Sequence, residues 1–169
     1  MSSGVGPPLG VNHRMALRHV YDVLGGADVV WALTGSTAFA LRGMDVVPHD
    51  VDIQTDAHGA YAIERILAPY MVWPVRYRTA LSIRSHFGRA RVAGVSVEIM
   101  GAIETRRADG SWTPPVDLRL LVEWVEWEGR AWPVLALAHE IAAYRALGRE
   151  DRAAWLERMR PNGGEADGR

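Results

Sequence analysis

The residues best able to do chemistry in this chain lie in three short segments. Leu33-Thr34-Gly35-Ser36-Thr37 is followed by Asp50-Val51-Asp52-Ile53, and later by Val95-Ser96-Val97-Glu98-Ile99-Met100. An apolar strand running into Gly-Ser-Thr at a helix start suits an anion. The first helical N–H groups lack intrahelical partners, and the dipole favours negative charge there. Gly35 lets a phosphate approach the backbone, and Ser36 and Thr37 add hydroxyl donors. A Ser or Thr in this position also serves simply as a helix cap. Asp50 and Asp52 are two apart at the start of a strand, so strand alternation aims both carboxylates at one side. They repel unless a cation lies between them, and adjacent carboxylates suit a hard ion such as Mg²⁺. A pair of turn or cap aspartates shows the same spacing. Glu98 interrupts an apolar strand, where a carboxylate is costly to bury unless paired or metal-bound; on a solvated face it carries no such cost. Three carboxylates on neighbouring strands beside a phosphate-holding helix start would form a two-metal phosphoryl-transfer site.

In type, order and context, Gly35-Ser36, Asp50, Asp52 and Glu98 resemble the pattern of the nucleotidyltransferase superfamily of the DNA polymerase β type. That pattern is apolar-Gly-Ser, then Asp-x-Asp on a strand, then a later acid on an adjacent strand. In size and layout the chain also resembles the small lincosamide-type antibiotic nucleotidyltransferases and the nucleotidyltransferase modules of toxin–antitoxin pairs. The resemblance implies that Asp50 and Asp52 hold two Mg²⁺ ions (Mn²⁺ being the alternative), with Glu98 completing the catalytic one. It also implies that Gly35, Ser36 and Thr37 receive the phosphates of a nucleoside triphosphate. The implied reaction moves a nucleoside monophosphate, AMP being the expected one, to a hydroxyl acceptor with release of pyrophosphate. The acceptor could be a small molecule, a protein or RNA. The alternative is a low-turnover binding module acting as an antitoxin or regulatory partner. Relatives carry a Lys in the first helix after the sheet; here Arg145 and Arg149 stand in that place, one turn apart, and are expected to open into the nucleotide cleft.

One charge feature is independent of any likeness. From Arg65 to Val97 there is no acidic residue, yet there are six arginines, at 65, 76, 78, 84, 89 and 91. Arg76/Arg78 and Arg89/Arg91 each point one way from a strand, as a solvated sheet face or as a patch for triphosphate or an anionic acceptor. The histidines show no zinc-site spacing.

These residues need a sheet to hold them. Val29–Leu33 and Val51–Thr55 read as buried strands, and Pro74 demotes Met71–Tyr77 to an edge strand. Ala93-Gly94 and Glu128-Gly129 read as hairpin turns. Helices are expected from Asn12 as cap to Leu24, after Gly35, from Asp56 as cap to Leu67, over 136–147 and over 150–159. The expected fold is α/β (α+β): a mixed twisted sheet with flanking helices, the nucleotidyltransferase fold, and a short C-terminal helical segment. The nucleotidyltransferase domain would span 12–134, with helices over 135–160 packed on it. A mobile N-terminus (1–11) and a disordered tail (161–169) would flank it.

Composition bounds the chemistry. The chain has 169 residues, net charge −1 and no cysteine, so thiol catalysis and cysteine metal sites are excluded. All 19 basic residues are arginine, so any polyphosphate must be met by arginine, metal or backbone. No apolar run or leader-like segment is evident, so the expected setting is the cytoplasm, without membrane contact. A homodimer is expected as a means of building an acceptor pocket from so short a chain.

Overall fold

The computed structural model describes residues 9–160. Among these the chain forms α1 (Val11–Leu24), β1 (Trp31–Thr34), α2 (Gly35–Leu41), β2 (Val51–Thr55) and α3 (Ala57–Ile66). There follow β3 (Met71–Thr79), β4 (Ile83–Val92), β5 (Val95–Thr105), β6 (Val122–Trp127), β7 (Arg130–Leu135), α4 (Leu137–Ala146) and α5 (Glu150–Met159). The strands make one seven-stranded sheet in the order β3-β4-β5-β2-β1-β7-β6. β2 pairs with β5 and β1 with β7 in parallel; the other pairs are antiparallel. The mixed α/β architecture is the expected one.

Alternation decides which side chains reach the core. Leu33, Val51, Ile53, Val97 and Ile99 point to one sheet face, where Ala16, Leu17 and Val20 of α1 and Ala60 and Ile63 of α3 bury them. On the other face a smaller cluster joins Phe39 of α2 to Leu137 and Ile141 of α4 and Ala153 and Leu156 of α5. This second layer does not extend over β3, β4 and β5. Their second face carries Trp73, Arg76, Arg78, Phe87, Arg89, Arg91, Glu98 and Met100, all exposed or half-buried.

Two-residue turns set the hairpins. Ala93 and Gly94 (φ 50° and 77°) join β4 to β5, and Glu128 and Gly129 (48° and 72°) join β6 to β7. Glu128 also accepts from Arg14 and Arg18, pinning α1 to that turn. Asp56 caps α3 by accepting from Gly59 N at 2.6 Å.

Several boundaries differ from expectation. The first helix begins at Val11 with Gly10 at the cap, and Asn12 lies inside its first turn. β3 is at the sheet edge as Pro74 requires, but runs on to Thr79 beyond a bulge between Trp73 and Arg76. Residues 1–8 of the expected mobile N-terminus, and the whole tail 161–169, lie outside the described residues.

The two sheet faces should answer differently to mutation. Ile99→Ala should cost about 2–5 kcal/mol in urea unfolding, because Ile99 is fully buried beneath α1 and α3. Arg91→Ala, one strand over on the open face, should stay within about 0.5 kcal/mol of the parent.

Candidate active site

Strand register lays five residues abreast across the sheet. Trp73 of β3 is opposite Arg89 of β4, and Arg89 is opposite Glu98 of β5. Glu98 is opposite Asp52 of β2, and Asp52 is opposite Thr34 of β1. Because the strands also alternate in phase, Arg89, Glu98 and Asp52 share the face that α1 and α3 leave free.

Asp52 is the electrostatic centre of this row. Burial first, then the neighbouring charges of Glu98, Asp50 and Glu140, push its carboxyl up from 3.8 to about 7. Its Oδ1 is buried with no hydrogen-bond partner among the described residues. Gly35 opens the space for it. Gly35 has φ 67°, and a Cβ there would lie 2.8 Å from Asp52 Oδ2, so both the conformation and the close approach demand glycine. Glu98 accepts from Arg89 Nη2 at 2.8 Å, and the Arg89 guanidinium lies 4.5 Å from the Trp73 ring centroid.

Asp50 lies one residue ahead of β2. Its carbonyl accepts from Thr37 Oγ1 at 2.5 Å, while its carboxylate is near enough to act on Asp52 and on His13. His13 of α1 sits 3.0 Å from the same Thr37 hydroxyl. Thr37 gives its one hydrogen to Asp50, so His13 Nε2 must be the donor to Thr37. Burial lowers the His13 pKa against the opposing pull of Asp50.

These contacts correct the expected role of Thr37. It is 1% exposed and its hydroxyl is spent on the Asp50 carbonyl and His13, so it braces the turn and offers nothing to a phosphate. Ser36 is half-buried and makes no side-chain hydrogen bond among the described residues. The N–H of Gly35 is already taken: Glu140 of α4 accepts from it at 3.1 Å and from Thr34 Oγ1 at 2.5 Å.

Glu140 is a fourth carboxylate that sequence reasoning missed. It is 5% exposed, and burial raises its pKa against the opposing pull of those two hydrogen bonds and of Arg42 and Arg152. The signal was there: Glu140 falls three residues after Leu137 and next to Ile141, on the buried stripe of α4.

The expected opening of Arg145 into the cleft is corrected. Arg145 closes onto Glu150 at 3.1 Å and Glu157 at 2.8 Å, tying α4 to α5. Arg149 lies 5.2 Å from the Tyr144 ring centroid at the start of α5. Among the C-terminal arginines it is Arg152 that bears on Glu140, and it stacks 4.6 Å from the Trp155 ring centroid.

The expected convergence of Asp50, Asp52 and Glu98 as a ready metal site is not met as it stands. Among the described residues no three His, Asp or Glu side chains form a preset ligand group. Yet the donor set fits a hard cation. It is all oxygen, it includes the partnerless Asp52 Oδ1, and its like charges add to burial, the larger cause, in raising the Asp52 pKa.

Comparison with known proteins agrees with this geometry. The fold, with the acids on its open face, is that of the nucleotidyltransferases, enzymes that transfer nucleotidyl groups. The family described as aminoglycoside-2''-adenylyltransferase matches residues 16–159, and the chain belongs to that family. A Thermotoga maritima structure described as a candidate nucleotidyltransferase is 44% identical, with 89% of this chain and 94% of that chain covered and a TM-score of 0.80. Lincosamide antibiotic adenylyltransferase LnuA, solved with lincomycin, is 13% identical over 90% of this chain and 99% of that one, with a TM-score of 0.55. ANT(2'')-Ia, solved with adenylyl-2''-tobramycin, is 13% identical over 87% of each chain, with a TM-score of 0.58. With these last two the likeness is one of fold. No curated protein matches the chain.

The Asp52 shift has a stability consequence. Its folded pKa of about 7 is above its unfolded value of 3.8. Between those pH values the folded state binds the extra proton, so stability falls as pH rises. Asp52→Asn should therefore raise the melting temperature of the metal-free protein, with a gain larger at pH 8 than at pH 5. A gain that shrinks with rising pH would place the charge strain elsewhere.

Proposed function

We propose that the chain transfers AMP from ATP to a hydroxyl acceptor and releases pyrophosphate. The observation that carries this reading is the register pair Asp52–Glu98, set beside Ser36, with a buried carboxylate oxygen left unpaired. Asp52 and Glu98, joined by Asp50, would hold two divalent ions, Mg²⁺ or Mn²⁺, which when bound neutralise the phosphates and the leaving group. The Ser36 hydroxyl, which has no competing partner, meets the phosphates.

The acceptor oxygen attacks the α-phosphorus as the bond to the β-phosphate oxygen breaks, so pyrophosphate carries the charge away. The acceptor's proton goes to a carboxylate. Glu98 is the first candidate, because it stands between the nucleotide site and the open face; Asp52 is the second. The ion pair with Arg89 holds Glu98 in place before ligands arrive. Glu140 holds the Thr34-Gly35 turn, and through it the position of Ser36, from beneath.

Calorimetry with ATP tests this directly. Binding should require Mg²⁺ and should weaken in Ser36→Ala by about 1–3 kcal/mol, the loss of one phosphate hydrogen bond. Asp50→Asn should abolish pyrophosphate release while the protein still folds. ATP binding indifferent to both Mg²⁺ and Ser36 would overturn the site.

A further inference from the structure

Beyond Glu98 the row passes through Arg89, which holds Glu98 in place, onto a surface that the catalytic reading does not use. β3 and β4 carry Trp73, Arg76, Arg78, Phe87, Arg89 and Arg91 on the open face, and no acid occurs anywhere from Arg65 to Val97. Val75, between the arginines, is fully buried against the α1–α3 core, which fixes Arg76 and Arg78 to the opposite side. Among the described residues Arg76, Arg78 and Arg91 form no ion pair; each reaches only a nearby backbone carbonyl. Trp73 is 46% exposed despite its size, and Arg78 and Arg89 approach its ring to 5.7 and 4.5 Å. Exposed guanidinium groups around an exposed indole, on strands without a single carboxylate, are arranged for a ligand with several negative charges and a flat ring.

This charge speaks against a polycationic aminosugar as the acceptor, because such a molecule would cross arginines to reach Glu98. It also speaks for more than one phosphate, since the unpaired arginines are spread over two strands. Trp73 stands two strands from Glu98, about 10 Å away at ordinary strand spacing. A terminal nucleotide could set a hydroxyl at Glu98, lay a neighbouring base on Trp73, and leave its phosphates to Arg76, Arg78 and Arg91. Open sheets with an aromatic platform and flanking arginines suit single-stranded nucleic acid in this way. Resting on the transferase reading above, we propose that the β3–β4 face is the acceptor platform and that the acceptor is the end of a single-stranded RNA.

Fluorescence anisotropy with a labelled 12-nucleotide single-stranded RNA, without ATP or metal, tests the platform apart from catalysis. Wild type should bind, with affinity falling steeply as salt rises. Arg76→Gln/Arg78→Gln should weaken binding by at least tenfold and flatten the log–log salt slope by about 0.7 for each arginine replaced. Trp73→Ala should cost about tenfold with little change in slope, because stacking is not a charge effect. These side chains are exposed, so circular dichroism should show the fold intact. With ATP and Mg²⁺ present, labelled AMP should appear on the RNA and not on tobramycin. No RNA binding, binding indifferent to all three substitutions, or transfer to tobramycin would overturn the proposal. RNA binding without Mg²⁺-dependent ATP binding would instead overturn the transferase reading and leave the platform standing.

Discussion

Asp52 and Glu98 face one another across the β2–β5 pair, two like charges held side by side by backbone hydrogen bonds. Register makes this unavoidable. Ile53 and Ile99 must enter the core, so their neighbours must both emerge on the other face. A slip of one residue would relieve the repulsion only by expelling the core residues of the strand that slipped. The repulsion is therefore built into the same hydrogen-bond ladder that makes the sheet, and it adds to burial, the larger cause, in pushing the Asp52 carboxyl to about 7.

The surroundings answer that charge unequally. On one side Arg89 meets Glu98 and rests on Trp73. On the other side a further acid, Glu140, is tied into Thr34 and Gly35, and no guanidinium reaches Asp52 Oδ1. A protein selected for stability alone would place a cation or an apolar group there. The gap is where a bound cation would do most, since each carboxylate it met would shed repulsion from the others. The helical layers follow the same division. α1 and α3 bury the core of one face, while α2, α4 and α5 pack toward the β1–β7 side of the other, leaving the acids and arginines accessible.

Much of this was legible in the residues. Alternation around Glu98 and the Gly35-Ser36 turn pointed to the candidate site, and the hairpin turns at Ala93-Gly94 and Glu128-Gly129 gave the strand pairing of β4 with β5 and of β6 with β7. What failed did so for definable reasons. Thr37 reads as a phosphate donor because nothing local reveals that its hydrogen goes to the Asp50 carbonyl, 13 residues on, or that His13 packs onto its oxygen. Arg145 shares helical spacing with Arg149, but its partners sit on the next helix, whose packing angle the spacing does not encode. Glu140 was hidden because a single carboxylate on an apolar stripe resembles a stripe boundary. The arginine patch was visible as composition, but the register of β3, β4 and β5 was needed to show that it runs continuously into Glu98.

On the proposed function, the Asp52–Glu98 pair is a cation site completed by nucleotide. A crystal structure of the protein with Mn²⁺ and a non-hydrolysable ATP analogue, read by anomalous scattering, tests it most directly. Anomalous peaks should touch Asp52 Oδ1 and Glu98, triphosphate oxygens should lie beside Ser36, and Arg89 should be drawn off Glu98. Nucleotide bound elsewhere, with the Arg89–Glu98 pair intact and no peak between the two strands, would contradict it.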